Sequence, residues 1–331
     1  MRGPAQDPRK AIGVVALCGG VGGAKLALGL ERALGPELAV IVNTGDDFEH
    51  LGLMISPDLD SVVYRLSGLN DEKRGWGRAD ESWAFMETLA QFGGETWFQL
   101  GDRDLALHVE RTHQLRSGKS LTEFTQAMTK RLGVQAEVLP MSDDPILTEV
   151  RTPDGSLAFQ RYFVERRCGP AVLGLTYAGA QQARMPEAAR SALDSTHLRA
   201  IVICPSNPYL SVDPILAVPG MREALAAASA PIVAVSPLIG GAAVKGPTTK
   251  IMGELGIPST SQAIAEHYGD LIQGFVIDKV DAHERDMIPQ SVYVTGTLMS
   301  TNEDCERLAR EVLSFASRLG ASVETKERVA G

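Results

Sequence analysis

Short apolar runs and stretches of helical spacing alternate along most of this chain. Residues 13–17, 38–43, 200–204, 232–236 and 274–278 are apolar runs that end in glycine or polar turns, as strands buried on both faces do. Residues 24–34 place Leu26, Leu30 and Leu34 on one helical face, and residues 186–195, 219–228, 250–255, 261–267 and 302–319 also read as helices. Strands alternating with helices predict an α/β fold: a Rossmann-like, doubly wound, mostly parallel sheet.

The alternation breaks between residues 67 and 179. Residues 67–77 are glycine-rich and charged, and 81–91 look helical. Ser120 and Glu123 form a capping-box pattern ahead of a helix over 120–132. His108 and His113, five apart, are not a helix-face metal pair and read as ordinary helix residues. Residues 147–152 and 157–164 alternate around Pro153-Asp154-Gly155, as a hairpin does. The expected organisation is a flexible lead over residues 1–11, a nucleotide-binding core over 12–66 and 180–320, and an inserted α+β subdomain over 67–179.

Residues that carry chemistry gather where the strands end, which is where open parallel sheets bind ligands. Gly19, Gly20, Gly22 and Gly23 follow the first strand and lead into the first helix. Their backbone N–H groups and the helix N-terminus make an anion cradle. The spacing fits neither standard fingerprint. Lys25 precedes Leu26 rather than Ser or Thr, and it stands where the dinucleotide pattern needs glycine. Asn43, rather than an acid, ends the second strand, which also counts against an NAD-dependent dehydrogenase.

Further polar sites follow in order. Asp46 and Asp47 either hold Mg²⁺ or form an Asx turn. Asp58 and Asp60 are a second acidic pair or helix N-caps. Arg103, between Asp102 and Asp104, is a surface ion-pair knot or a phosphate or substrate clamp. Ser206 and Asn207 bind a nucleotide or phosphate, or simply form a proline-bounded turn. Gly240, Gly241 and Lys245 make a second glycine-rich loop suited to phosphate. His50 is the only histidine close to this presumed site; His197, His267 and His283 read as cap or surface residues.

Composition narrows the class. With 331 residues, 44% hydrophobic and 22% charged, the chain is an ordinary globular protein with a sizeable core. A formal net charge of −9 argues against a nucleic-acid partner. Cys18, Cys168, Cys204 and Cys305 lie far apart and read as reduced thiols of a cytoplasmic protein. Residues 1–10 are polar with two prolines and do not read as a signal peptide, and no run of ~18 apolar residues predicts a membrane span.

Taken as an ordered series, the strand-end sites resemble one family. Gly19-Gly20-Val21-Gly22-Gly23-Ala24-Lys25, Asn43-Thr44-Gly45-Asp46-Asp47, Pro57-Asp58-Leu59-Asp60, Gly101-Asp102-Arg103-Asp104, Pro205-Ser206-Asn207-Pro208 and Ser236-Pro237-Leu238-Ile239-Gly240-Gly241 resemble the 2-phospho-L-lactate transferase family of coenzyme F-420 biosynthesis. The resemblance implies transfer of a phospho-acid from a guanosine-diphospho-linked donor to the ribityl hydroxyl of the deazaflavin Fo, with release of GMP and a need for Mg²⁺. The acid is lactyl, enolpyruvyl or glyceryl, and Val21 with Gly45-Asp46-Asp47 is closer to the bacterial branch. The donor would be made by a guanylyltransferase upstream, and the resemblance suggests a homodimer whose inserted subdomain covers Fo.

The site roles carried over are these. Asp46, Asp47 and Asp60 are the catalytic and metal-holding carboxylates, and Asp60, Arg103, Thr44 and Asp58 contact Fo. Gly19, Gly20, Val21, Gly22, Gly23, Lys25, Ser206, Asn207, Ser236, Gly240, Gly241 and Lys245 hold the donor nucleotide and its phosphates. A related family of non-catalytic nucleotide-sugar-binding regulators shares the fold and the glycine turn. The second acidic pair and the Asp102-Arg103-Asp104 knot, which a nucleotide binder does not need, favour the transferase.

Overall fold

The computed structural model describes residues 11–330, without the side chains of 322–330; apart from Ala11, the lead expected over residues 1–11 lies outside them. In chain order the elements are β1 (Val14–Cys18), α1 (Gly20–Leu34), β2 (Leu38–Val42), β3 (Phe48–His50), β4 (Leu53–Ile55), α2 (Pro57–Leu66), α3 (Ala84–Gln91), α4 (Asp102–Arg116), α5 (Leu121–Arg131) and β5 (Glu137–Pro140). There follow β6 (Leu147–Thr152), β7 (Gly155–Ala158), β8 (Gly174–Ala178), α6 (Glu187–Leu193), β9 (Ala200–Ile203), α7 (Asp213–Leu216), α8 (Met221–Ala227) and β10 (Ile232–Val235). The last are β11 (Leu238–Ile239), β12 (Ala242–Ala243), α9 (Thr248–Glu254), α10 (Ser261–Tyr268), β13 (Gly274–Asp278), β14 (Ser291–Thr295) and α11 (Asn302–Ala330).

Seven strands form the main sheet in the order β14-β13-β10-β9-β1-β2-β5, and every neighbouring pair is parallel. The doubly wound sheet expected from the apolar runs is therefore present. Each β1 side chain is buried because helices cover both faces. Val14, Ala16 and Cys18 pack with Leu26 and Leu30 of α1, Val62 of α2 and Leu308 of α11. Val15 and Leu17 face the other way, into a core with Ala189, Leu225, Ile251 and Ile264. Strand order reverses between β1, whose chain winds outward to β2 and β5, and β9, where it returns. That switch point opens a crevice at the strands' carboxyl ends.

The inserted region needs correction. β5 lies within the expected insertion of 67–179, yet it pairs with β2 as the edge of the main sheet. The insertion is thus two pieces, one on each side of β5. The second contains a hairpin at the expected turn, Thr152 opposite Gly155, but its second strand is Gly155–Ala158 and residues 159–164, expected as strand, are helical; β8 adds a third antiparallel strand. The capping box at Ser120 and Glu123 is formed. Asp58 and Asp60 are not N-caps: Ser56 holds that position, and both acids lie in the first turn of α2. Among the described residues no helix is long and apolar enough to cross a membrane.

Candidate functional site

The glycine turn meets the end of β9 at the switch point. Ser206 Oγ accepts from Gly19 N at 3.1 Å and donates to Gly19 O at 2.8 Å, so this hydroxyl is occupied in fixing the turn. A Cβ at Gly22 would stand 2.7 Å from the Pro205 carbonyl oxygen, so only glycine fits that approach. The N-cap of α1 is Gly19, which has no side chain to cap it, and no acid lies in the helix's own first turn, so the positive end of its dipole faces Asp58 and the crevice. Gly19, Gly20, Val21, Gly22 and Lys25 line a cavity of about 670 Å³. Lys25 Nζ donates to Met299 O at 2.6 Å, and partial burial lowers its pKa. Gly23 packs behind the turn, with no room for a side chain beside Ser206 and Cys18.

Opposite the turn stand two buried carboxylates. Asn43 Nδ2 donates to Asp46 Oδ1 and to Asp58 Oδ2, each at 2.9 Å, and its Oδ1 accepts from Gly45 N at 2.8 Å. The Asx turn read in the sequence is thus formed by Asn43. Asp58 sits against the glycine turn itself, where it also accepts from Gly20 N–H. Burial pushes Asp58 up to about 6 and Asp46 well above the ordinary carboxylate range, the latter reinforced by the charge of Asp58. Among the described residues neither acid has an ion-pair partner. Two acceptor-only groups against a glycine turn suit a hard divalent cation. Among the described residues no three of His, Cys, Asp and Glu converge on one point, so such a cation would draw the rest of its oxygen shell from water or ligand phosphates.

Asp47 and Asp60, expected beside Asp46 on the metal, are engaged elsewhere. Asp47 is outside the cavity wall; Ser56 Oγ donates to its Oδ2 at 2.7 Å, its Oδ1 has no partner, and burial raises it. Asp60 lines the cavity but is paired bidentately with Arg111, whose Nη2 bonds Oδ1 while Nη1 lies 3.2 Å from Oδ2. Arg111 is 1% exposed, and a buried guanidinium needs such a partner. His108 also lines the cavity, whereas His50 is enclosed by Phe48, Trp97 and Phe98 outside it. Spacing gave no sign of Arg111 or His108. The signal that was present is Asp104, His108 and Arg111 at helical intervals, which bring them to one face of α4.

The other expected residues divide. Ser236 lines the cavity, its Oγ 2.9 Å from that of Ser261. Asn207 lines it too, though its Oδ1 caps Tyr209 N and Leu210 N and its Nδ2 donates to Thr248. Lys245 reaches across the cavity mouth to Gly75 O at 3.0 Å. Gly240 and Gly241, at φ 61° and 69°, are instead the two-residue turn of the β11–β12 hairpin. Gly240 N already donates to Asp281 at 3.0 Å. Thr44 is buried behind the wall. Arg103 is exposed and outside the cavity, and among the described residues the expected ion-pair knot is not formed: Asp102 accepts from Ser82 and the amides of Ala84 and Phe85, and Asp104 turns to Tyr64 and His108. Trp76, Phe98, Phe159 and Phe163 also line the cavity and add aromatic surface to it.

Fold and cavity together define an α/β protein with a glycine turn at the switch point of a parallel sheet. Residues 14–314 match the family described as 2-phospho-L-lactate transferase CofD. The chain belongs to that family, the phosphotransferases of coenzyme F-420 biosynthesis. It is 41% identical over 317 residues to a phosphoenolpyruvate transferase of Kitasatospora aureofaciens, covering 92% of this chain and 98% of that one. It is 38% identical over 304 residues to a 2-phospho-L-lactate transferase of Methanosarcina mazei, covering 91% and 99%. A crystal structure of a UPF0052-family protein from Bacillus halodurans shares the fold, with TM-score 0.60, 18% identity and coverage of 92% and 99%.

Proposed function

We propose that the protein transfers a phospho-acid from a guanosine-diphospho-linked donor to the ribityl hydroxyl of Fo, forming a phosphodiester and releasing GMP. The observation that carries this reading is Asp58 lying directly against the phosphate turn. A carboxylate there repels a ligand phosphate unless a divalent cation stands between them, and Asp46, tied to the same amide, completes the pair. Asp46 and Asp58 would hold Mg²⁺, which would supply charge neutralisation for the diphosphate. Attack of an alcohol on phosphorus needs such neutralisation and in-line alignment more than covalent help.

The chain's own groups supply the rest. Amides at Val21 and Gly22 and the end of α1 bind phosphate oxygens, and Lys25 and Lys245 add positive charge at either side. The aromatic surface of the cavity takes the flat deazaflavin, with its ribityl chain directed toward Asp60. The relatives' names divide between enolpyruvyl and lactyl donors, so the acid is decided by turnover. The test combines the protein with Fo, Mg²⁺, GTP and a donor-activating guanylyltransferase, offers phosphoenolpyruvate, phospholactate and 3-phosphoglycerate separately, and reads products by mass spectrometry. A phosphodiester from one acid names the donor. No product from any, with donor formation demonstrated, overturns the reading in favour of a nucleotide-binding regulator.

A further inference from the structure

Asp104, His108 and Arg111 occupy i, i+4 and i+7 on α4 and face α2, where Asp60 and Tyr64 stand four residues apart. Asp60, Tyr64, Asp104 and His108 all line the cavity, and Arg111 lies just behind them. Arg111 is pinned on several sides: Nη1 donates to Met54 O of β4 at 3.2 Å, the Phe124 ring lies 5.6 Å beneath it, and Asp60 takes its open side. β4 is bound to the same helix turn, since Met54 N donates to Thr112 Oγ1 at 2.8 Å. The remaining neighbour is His108, whose Nδ1 lies 3.4 Å from Arg111 Nη1 and 3.8 Å from Asp60 Oδ2.

The tautomer follows from the chemistry of the partners. A guanidinium only donates, so this contact is a hydrogen bond only with Nδ1 as acceptor and the ring proton on Nε2, and Nδ1 then shares Nη1, whose two hydrogens also serve Met54 O and Asp60 Oδ2. Nε2 lies 3.3 Å from Asp104 Oδ2, close enough for its N–H dipole to be drawn to the carboxylate although not aligned as a hydrogen bond. Tyr64 OH donates to the other Asp104 oxygen. Burial raises Asp104, but His108, Tyr64 and Arg111 outweigh it and hold the acid below its ordinary range. Asp104 thereby stays an anion that orients the imidazole. A fully buried ion pair is a poor device for stability, since an apolar pair of similar volume serves as well. It does hold one carboxylate at a fixed place on a cavity wall.

We propose that His108 is a positioning residue for the reaction: by accepting from Arg111 it sets the guanidinium that aims Asp60 at the acceptor hydroxyl. The proposal rests on the transferase reading only for what Asp60 serves. Three variants test it. His108→Asn keeps a polar atom near Nδ1, His108→Gln keeps one near Nε2, and His108→Leu keeps neither.

The expected result is that His108→Leu and His108→Gln lower kcat about 30-fold or more with donor KM within about threefold, while His108→Asn recovers to within about fivefold of wild type. Equal loss in His108→Asn and His108→Gln overturns the proposal, and that comparison stands even if His108→Leu does not fold. Crystal structures of His108→Asn and His108→Gln read the same point without turnover. Asp60 and Arg111 should keep their pairing in the first and shift in the second; an unmoved pair in His108→Gln also overturns it. If wild type makes no product with any acid, the transferase reading fails and the crystal structures alone decide the positioning role.

Discussion

Asp46 and Asp58 hang from one nitrogen: Asn43 Nδ2 lies 2.9 Å from an oxygen of each. Twelve residues apart in the chain, two groups that repel each other are held side by side by a single neutral donor. Asn43 is fully buried and also contacts Leu210 O at 3.3 Å, so the amide joins the β2 end to the segment after β9. Asn43→Leu removes the shared donor from both acids and the acceptor of Gly45 N, while Asp58 keeps Gly20 N–H and Ser211. The loss expected is on the order of 3 kcal/mol, read as a lowered urea midpoint at constant m-value. A change under about 0.5 kcal/mol would mean that water replaces the amide without cost.

The acids also predict a pH signature. Asp58 sits at about 6 in the folded protein against 3.8 for a free Asp. Its folded value is raised, so its contribution to stability is complete below 3.8 and is lost as pH rises through about 6. Asp58→Asn is neutral throughout, so its advantage over metal-free wild type should grow across that window, by on the order of 3 kcal/mol. Adding Mg²⁺ above the window should stabilise wild type and not the variant. A pH-independent difference in denaturant stability would sink the burial account.

Gly22→Ala places a methyl group against the Pro205 backbone, which cannot swing aside as a side chain can. We expect a cost of about 1–3 kcal/mol, with GMP affinity lost beyond what stability explains. Calorimetric titration of GMP into the folded variant checks it; unchanged affinity would show that the turn does not hold phosphate.

Arg103 and Arg111 should behave oppositely. Arg103 is exposed, and its alanine variant should keep kcat/KM within about threefold and its melting temperature within about 2 °C. Arg111→Ala strands Asp60 in a buried setting and should cost about 3–5 kcal/mol. If Arg103→Ala abolishes turnover while Arg111→Ala is silent, the assignment of the two arginines is reversed.

The core of the fold was legible because parallel strands covered on both faces are uniformly apolar; residues 13–17, 200–204 and 274–278 could be little else. β14 was not legible. It is a half-exposed edge strand in which only Val292, Tyr293 and Val294 carry a signal, and β3 and β4 have three residues each. β5 falls in the stretch expected as insertion, and nothing local in its sequence says which sheet it joins. The turn glycines and Asp46, Asp58 and Asp60 were visible as strand-end polar clusters. What each acid does was not, since that depends on Asn43 lying between two of them and Arg111 reaching the third from fifty-one residues away. Gly240 and Gly241 were misjudged because a type I′ turn and a phosphate loop use the same residue for the same conformational freedom.

Residues 19 to 60 contain the turn glycines and three of the four candidate-site acids, Asp46, Asp58 and Asp60, yet not the groups that arrange them. Ser206 fixes the turn across 187 positions, Leu210 steadies Asn43 across 167, and Ser211 meets Asp58 at 3.4 Å across 153. A fragment ending before β9 would carry this acidic and glycine chemistry and have no binding site. Recognition is therefore a property of the closed chain, formed late in folding and lost with the global transition rather than by local fraying. A ligand of this site should raise the midpoint of the whole unfolding curve, and the size of that rise, through mass action, gives its dissociation constant.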